Sequence, residues 1–346
     1  IRYNSTQMVR MLLPVSLLLL SGVAMQFKPP GEQERLAAIG DTTGSPETLR
    51  RALVPGDDFE PISTAGPHDW LANHPEPGQT FDQFLHSNPH RPDKQRSKLY
   101  LQPLGEFAEG RSPPLDRLQK FAAAFFMLEV KVLPPMGLAN SRITTRRNHY
   151  TGQTQLLTGD ILTLLRKKLP EDAYALLGIT MVDLYPEESW NFVFGQASLR
   201  HRVGVYSFAR YDPRFCGEKP DGWHDLAQPG HDDDADDDTA KPGLTVPPAW
   251  QALMLRRSCK VLAHETAHMF GIQHCIHFRC LMNGSNHLAE SDTRPLHLCP
   301  VDLRKLHHSV GFDVIERYRR LRNFCEKIGF ENEEVWLKDR LQYLGQ

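Results

Sequence analysis

The segment HETAHMFGIQHC, running from His264 to Cys275, places three histidines at i, i+4 and i+10, with a glutamate after the first and a cysteine after the last. Residues four apart on an α-helix sit one turn above each other, so His264 and His268 can offer imidazole nitrogens to one ion at about 2.0–2.1 Å. Two ligands hold a metal weakly. Gly271 permits the left-handed turn that ends a helix and brings His274 round as a third ligand. Three histidines leave a fourth tetrahedral position for water, which suits a catalytic rather than a structural zinc. Glu265 lies about 100° round the helix from His264, facing that water, and is the expected general base. Zinc lowers the pKa of the water to roughly 7, and the carboxylate takes the proton as the nucleophile attacks a carbonyl. The bland alternative is a helix C-terminus decorated with histidines that the helix dipole favours. A bare H-E-x-x-H leaves that alternative standing; H-E-x-x-H-x-x-G-x-x-H, which is what this chain carries, points to catalytic zinc.

The longer string HETAHMFGIQHCIHFRCLMNGSNHLAESDTRPLHLCPVDLRKL resembles the archaemetzincins, a branch of the metzincin zinc peptidases. Their signature adds a cysteine directly after the third histidine, then further cysteines and a methionine, here Cys275, Cys280, Cys299 and Met282. The resemblance extends upstream through GITMVDLYPEESWNFVFGQASL and VGVYSFARY and downstream through VGFDVIERYRRL, covering about 100–330. It implies a peptide or protein substrate, Met282 as the methionine of an apolar floor beneath the catalytic zinc, and a second, structural zinc held by four cysteines. Side-chain chemistry makes sense of the second ion: neighbouring residues of an extended segment project oppositely, so His274 can face one metal and Cys275 another. The alternative is a set of buried free thiols. The chain departs from the family at the fourth ligand, where Asp302 stands in CPVD. A carboxylate is harder than a thiolate, so the second site should bind zinc less firmly, and Asp302→Cys should raise zinc retention and thermal stability. The resemblance further implies that the strand before the acidic loop is a sheet edge that pairs with an extended peptide; within 193–211 no residue is singled out.

The elements that must position these residues follow from texture. Residues 26–95 are polar and rich in Pro, Gly and His with no sustained period, and read as an extension wrapped on the surface with little chemistry. From Lys98, KLYLQPL predicts a strand, PPLDRLQKFAAAFFML a helix, EVKVLP a strand, TGDILTLLRKKLP a helix and AYALLGITMVDL one buried strand. NFVFGQAS and RVGVYSFARY add two strands before an acidic tract, 212–246, that reads as a solvated loop rather than a calcium site. After Pro247 and Pro248 a long helix begins and runs through Trp250, Leu253, Met254 and Leu262 into the histidine motif. The alternation predicts an α+β or α/β sandwich: a metzincin-like mixed sheet, an active-site helix and a zinc-bound C-terminal subdomain. The catalytic domain spans 96–330, and 331–346 form a tail.

Composition narrows the partners. Forty basic against 42 acidic residues leave a net charge of -2, which offers no general attraction to nucleic acid or anionic membrane. Residues 1–25 contain Arg10, an apolar run from Met11, and Gly22 and Ala24 spaced like a signal-peptidase site, but the run is too short to span a bilayer. Met8, Met11 and Met25 are candidate starts, and the leader is either a secretory signal or an artefact of the start. Cysteine crowding favours metal over disulfides and hence an intracellular, cytoplasmic protein, with secretion as the alternative; a monomer is expected. Secretion would make Asn283, in NGS, a glycosylation acceptor inside the site. Cys216, Cys259 and Cys325 have no metal-ligand spacing and read as plain thiols. The function expected is a zinc metallopeptidase; the rival is a zinc-stabilised binding or scaffold protein without turnover, which would have no need of Glu265.

Overall fold

Strand β5 (Ala173–Thr180) is buried along its whole length, the mark of a central parallel strand covered on both faces. In the computed structural model, which describes residues 27–139, 141–212, 215 and 248–346, it lies in a five-stranded mixed sheet. The sheet order is β2 (Glu129–Val132), β1 (Lys98–Leu104), β5, β8 (Val203–Ser207) and β7 (Gly195–Ser198). All neighbours are parallel except β7, which runs antiparallel to β8 and forms an edge. A smaller sheet joins β3 (Thr145–Arg147), β4 (Thr154–Leu157) and β6 (Asp183–Tyr185). Side chains alternate across the main sheet with period two. Ala175, Leu177, Ile179 and Tyr206 join one core with helices α5 (Leu115–Phe126) and α7 (Pro248–Met269); Leu176, Val203 and Val205 join another with α6 (Thr158–Lys167).

α7 has 22 residues, about 33 Å at 1.5 Å per residue, and crosses the interior. Its buried cations there are paired: Arg257 makes two bonds to the Asp292 carboxylate, at 3.0 and 2.5 Å, and Lys260 Nζ donates to Asp292 O at 2.8 Å. These contacts tie the helix to α8 (Leu288–Thr293), after which α9 (Pro300–Val310) and α10 (Val314–Ile328) complete the C-terminal part.

Four expectations change. Residues 26–95 are not a featureless wrap: from residue 27 onward they form α1 (Glu32–Ile39), α2 (Glu47–Ala52), α3 (Trp70–Asn73) and α4 (Phe81–His86) and bury Ala38, Ile39, Leu49, Phe59, Phe81 and Phe84. These helices are shorter than the window in which a 3.6-residue period can be read. The 331–346 tail is largely a helix, α11 (Glu331–Tyr343), whose Leu337 and Leu341, one turn apart, are buried with Leu344 beside them. AYALLGITMVDL is two strands in different sheets, divided at Met181–Val182, and the β3–β4 hairpin lies where no strand was read. NFVFGQAS is strand only from Gly195. The leader 1–25, nearly all of the acidic tract 212–246, and Cys216 lie outside the described residues.

Candidate metal centres

His264 and His268 stand one turn apart near the C-terminus of α7. Gly271 then adopts φ 80°, and its N–H donates to His268 O at 2.9 Å, closing the helix as a left-handed residue does. The chain turns back and brings the His274 ring to 5.3 Å from His264 and 5.1 Å from His268, centroid to centroid. The Nε2 atoms of His264 and His268 are 3.1 Å apart, and one ring nitrogen from each of the three histidines falls within 4.8 Å of the others. The Nδ1 atoms are all engaged: His264 with Leu281 O at 2.9 Å, His268 with Ile272 O at 2.6 Å, His274 with Glu76 Oε1 at 2.8 Å. Carbonyl and carboxylate oxygens only accept, so the protons sit on Nδ1 and the Nε2 lone pairs are left free. Arg294 Nη1, 3.4 Å from His264 Nδ1, is a weaker partner than the Leu281 carbonyl at 2.9 Å; its short bond, 2.5 Å, goes to Asn283 O.

Two facing lone pairs at that distance repel unless a proton or a metal ion lies between them. Burial, reinforced by neighbouring positive charge, holds His264 well below the ordinary histidine value and takes His268 down to about 3, so a shared proton is disfavoured at neutral pH. The donor set therefore fits a borderline metal such as zinc. Glu265 is adjacent in sequence but turned toward the sheet: a Cβ placed on Gly195 of edge strand β7 would come within 3.2 Å of its Cδ. Burial lifts the Glu265 carboxyl to about 7 against the opposing charges of His274 and Arg294. A carboxyl with that proton affinity can both accept and return a proton at neutral pH.

Cys275, Cys280, Cys299 and Asp302 form a second cluster, fully buried and with ligand atoms within 4.8 Å of one another. Cys275 Sγ lies 3.6 Å from Cys299 Sγ, and Asp302 Oδ2 lies 3.3 Å from Cys280 Sγ and 3.6 Å from Cys299 Sγ. These spacings approach the edge, about 3.8 Å, of a tetrahedron with 2.3 Å metal–sulfur bonds. The Cys299 N–H points at Cys280 Sγ, 3.2 Å away. Burial works to raise the Cys275 thiol, but hydrogen bonds from Cys280, Cys299 and His277 outweigh it and bring it well below its usual value; burial drives Cys280 and Cys299 up. Asp302 does more than replace a sulfur: its Oδ1 accepts from Lys305 Nζ at 2.8 Å, an ion pair with side chains 0% and 1% exposed. Burial lifts Asp302 to about 6, with Lys305 opposing.

The loop joining the clusters is stapled by Asn283, whose amide donates to Cys275 O (2.8 Å) and Phe278 O (2.9 Å) and whose Oδ1 accepts from Cys280 N–H (2.7 Å). Asn283 is buried, so the folded protein offers no glycan acceptor there. Met282 is buried, and its carbonyl accepts the Cys275 N–H at 2.8 Å. A third group, Asp69, His287 and Glu290, also draws its ligand atoms together. Its atoms are already bonded within the protein: Glu290 accepts from Trp70 N–H (2.8 Å) and Asn286 N–H (2.7 Å), and His287 Nδ1 accepts from Glu290 N–H (3.2 Å), which leaves the Nε2 proton for Asp69. It is a clasp between the N-terminal segment and α8. Cys259 and Cys325 are buried free thiols that join none of these groups. The residues that sequence reasoning missed are Glu76, Trp70, Gly195, Arg294 and Lys305. Only Lys305, three residues from Asp302, carried a local signal.

A family model described as peptidase family M54 matches residues 248–308. The chain is 42% identical over 285 residues to Archaemetzincin-2 of Macaca fascicularis, covering 80% of this chain and 78% of that protein. To Archaemetzincin-1 of Homo sapiens it is 40% identical over 271 residues, covering 75% of this chain and 52% of that one. Among solved structures, archaemetzincin from Methanopyrus kandleri is similar at 27% identity with a TM-score of 0.42, covering 63% of this chain and 97% of that one. At this identity over four-fifths of its length, and with the histidine and cysteine motifs drawn together in space, the chain belongs to the archaemetzincin family, peptidase family M54.

Proposed function

We propose that this protein, by its family a zinc metallopeptidase, cleaves peptide or protein substrates at the three-histidine centre, with His264, His268 and His274 as zinc ligands and Glu265 as general base. The observation that carries the assignment is the convergence of three imidazoles whose Nδ1 atoms are all engaged elsewhere. A zinc ion bound there supplies Lewis acidity that polarises a carbonyl and makes water nucleophilic near neutral pH. Glu265 receives the proton as the nucleophile adds to the scissile carbonyl, and returns it to the departing amine. Among the described residues β7 is the outer strand, beside Glu265, and such an edge suits an extended peptide added as a further strand. Gly195 keeps that edge narrow where the carboxylate stands.

On this reading Cys275, Cys280, Cys299 and Asp302 hold a second, structural zinc that fixes the chain next to His274, and Met282 lies beneath the centre as an apolar floor. The catalytic unit is a metzincin-like sandwich over 96–330 with a zinc-bound C-terminal subdomain, completed on either side by the N-terminal helices and α11. Free thiols at all five described cysteines suit an intracellular protein, and no helix among the described residues is long and apolar enough to cross a membrane. An intact, half-buried Glu265 whose carboxyl is lifted to about 7 disfavours a scaffold without turnover. The test is Glu265→Ala, which should retain zinc and lose most peptide turnover, beside His264→Ala, His268→Ala and His274→Ala, which should lose catalytic metal. Wild-type turnover in Glu265→Ala would sink the mechanism.

A further inference from the structure

The third histidine differs from the other two in what holds it. His264 and His268 give their Nδ1 protons to backbone carbonyls 17 and 4 residues away, whereas His274 gives its proton to the Glu76 carboxylate, 198 residues away in the chain. His274 also lies past the end of α7 and lacks the helical backbone that orients its two partners. Among the described residues the remaining oxygen of Glu76, Oε2, is buried without a hydrogen-bond partner, and so is the indole Nε1 of Trp70. That indole N–H lies within reach of the Glu76 carboxylate. The Trp70 ring stands edge-on to His274 at 5.3 Å and stacks on His74 at 3.9 Å.

The segment that carries these residues is held in place. The Trp70 backbone N–H donates to Glu290, Asn286 Nδ2 donates to His68 O at 3.1 Å, and Gln79 bonds both Gly271 O and Gln273 N–H at 3.2 Å. The indole packs directly on Gly284, where a Cβ would fall 2.3 Å from the ring. We propose that Glu76, braced by Trp70, is a positioning residue for His274, so that the N-terminal segment completes the catalytic metal site. A carboxylate on Nδ1–H fixes the tautomer and ring plane and makes Nε2 a stronger donor to a metal. This rests on the reading of the three histidines as the catalytic zinc ligands.

The 346-residue chain loaded with zinc or cobalt tests it through metal affinity, by chelator competition, and through the absorption spectrum of the cobalt form. Glu76→Ala should weaken metal binding at the histidine site by about 10–100-fold and shift its cobalt spectrum. Glu76→Gln, which keeps a neutral acceptor for Nδ1–H, should fall between Glu76→Ala and wild type. Trp70→Phe, which keeps the ring on Gly284 and removes only the N–H, should lose less. Glu60→Ala, which loosens the same segment at its ion pair with Arg279, should leave both readouts at wild type. Equal effects of Glu60→Ala and Glu76→Ala would reduce Glu76 to a docking contact and overturn the proposal. Wild-type affinity and spectrum in Glu76→Ala, while His274→Ala loses metal, would overturn the proposal and leave the ligand assignment standing. Retention of metal by His274→Ala would overturn the ligand assignment itself.

Discussion

Replacing Asp302 by cysteine restores the family's fourth sulfur, and on ligand chemistry alone it should strengthen the second site. The structure alters that expectation, because Lys305 is 1% exposed and Asp302 is the acid it pairs with. Removing one partner of a buried ion pair costs about 3–5 kcal/mol, since a charge is left in the interior; replacing both partners by apolar groups is often neutral or favourable. In chelator, where a neutral thiol at 302 cannot pair with an ammonium, Asp302→Cys should therefore lose about 3–5 kcal/mol. Lys305→Met should lose a similar amount, and the double variant much less than the sum. With single losses of about 3–5 kcal/mol each and a double variant near neutral, the coupling in that cycle should be at least about 3 kcal/mol, well above the few tenths expected for independent sites. Urea unfolding of the four proteins, with and without zinc, measures it. With zinc present the double variant should exceed Asp302→Cys alone in both metal retention and midpoint, because it has four sulfurs and no stranded lysine. Coupling below about 0.5 kcal/mol would refute the reasoning and leave Asp302 a bystander.

Asn283→Ala should orphan two buried carbonyls and a buried N–H, each worth about 1–3 kcal/mol, and weaken metal retention at the cysteine cluster; a loss under about 1 kcal/mol in urea unfolding would show that the loop is held otherwise. Gly195→Val should bring a side chain within 3.2 Å of Glu265 Cδ and 2.9 Å of Tyr206 Cβ, so kcat/KM should fall with zinc retained, whereas wild-type turnover would place the reactive carboxylate elsewhere. Lys260 is pushed down to about 7 by burial, below its ordinary 10.5, so the unfolded chain binds more protons between those values and the group's penalty is relieved as pH rises through that window. The stability of wild type relative to Lys260→Met should accordingly rise from pH 7 to 10, and a flat difference by thermal unfolding would count against a depressed lysine.

What could be read along the chain is what the chain's own geometry dictates. One helical turn puts His264 above His268, a glycine at 271 must turn the chain, and an apolar run such as ALLGI must be buried on both faces of a sheet; each relation spans a few residues and survives in any fold that keeps the local backbone. The cysteine cluster was legible through the family resemblance, with the position of Cys275 next to His274 making sense of it. Everything that tunes the site came from elsewhere. Glu76 and Trp70 reach His274 from a segment whose helices are too short to show a period, and Gly195 meets Glu265 only because β7 ends on the sheet edge beside α7. The sequon at Asn283 reads as an exposed acceptor until the fold turns its amide inward onto Cys275 and Phe278. Asp302 shows the division most plainly. Its identity as a non-sulfur ligand candidate is visible in CPVD, but its charge is balanced by Lys305 only where α9 buries both in one dry corner, and the low dielectric there makes the partner decide the energy.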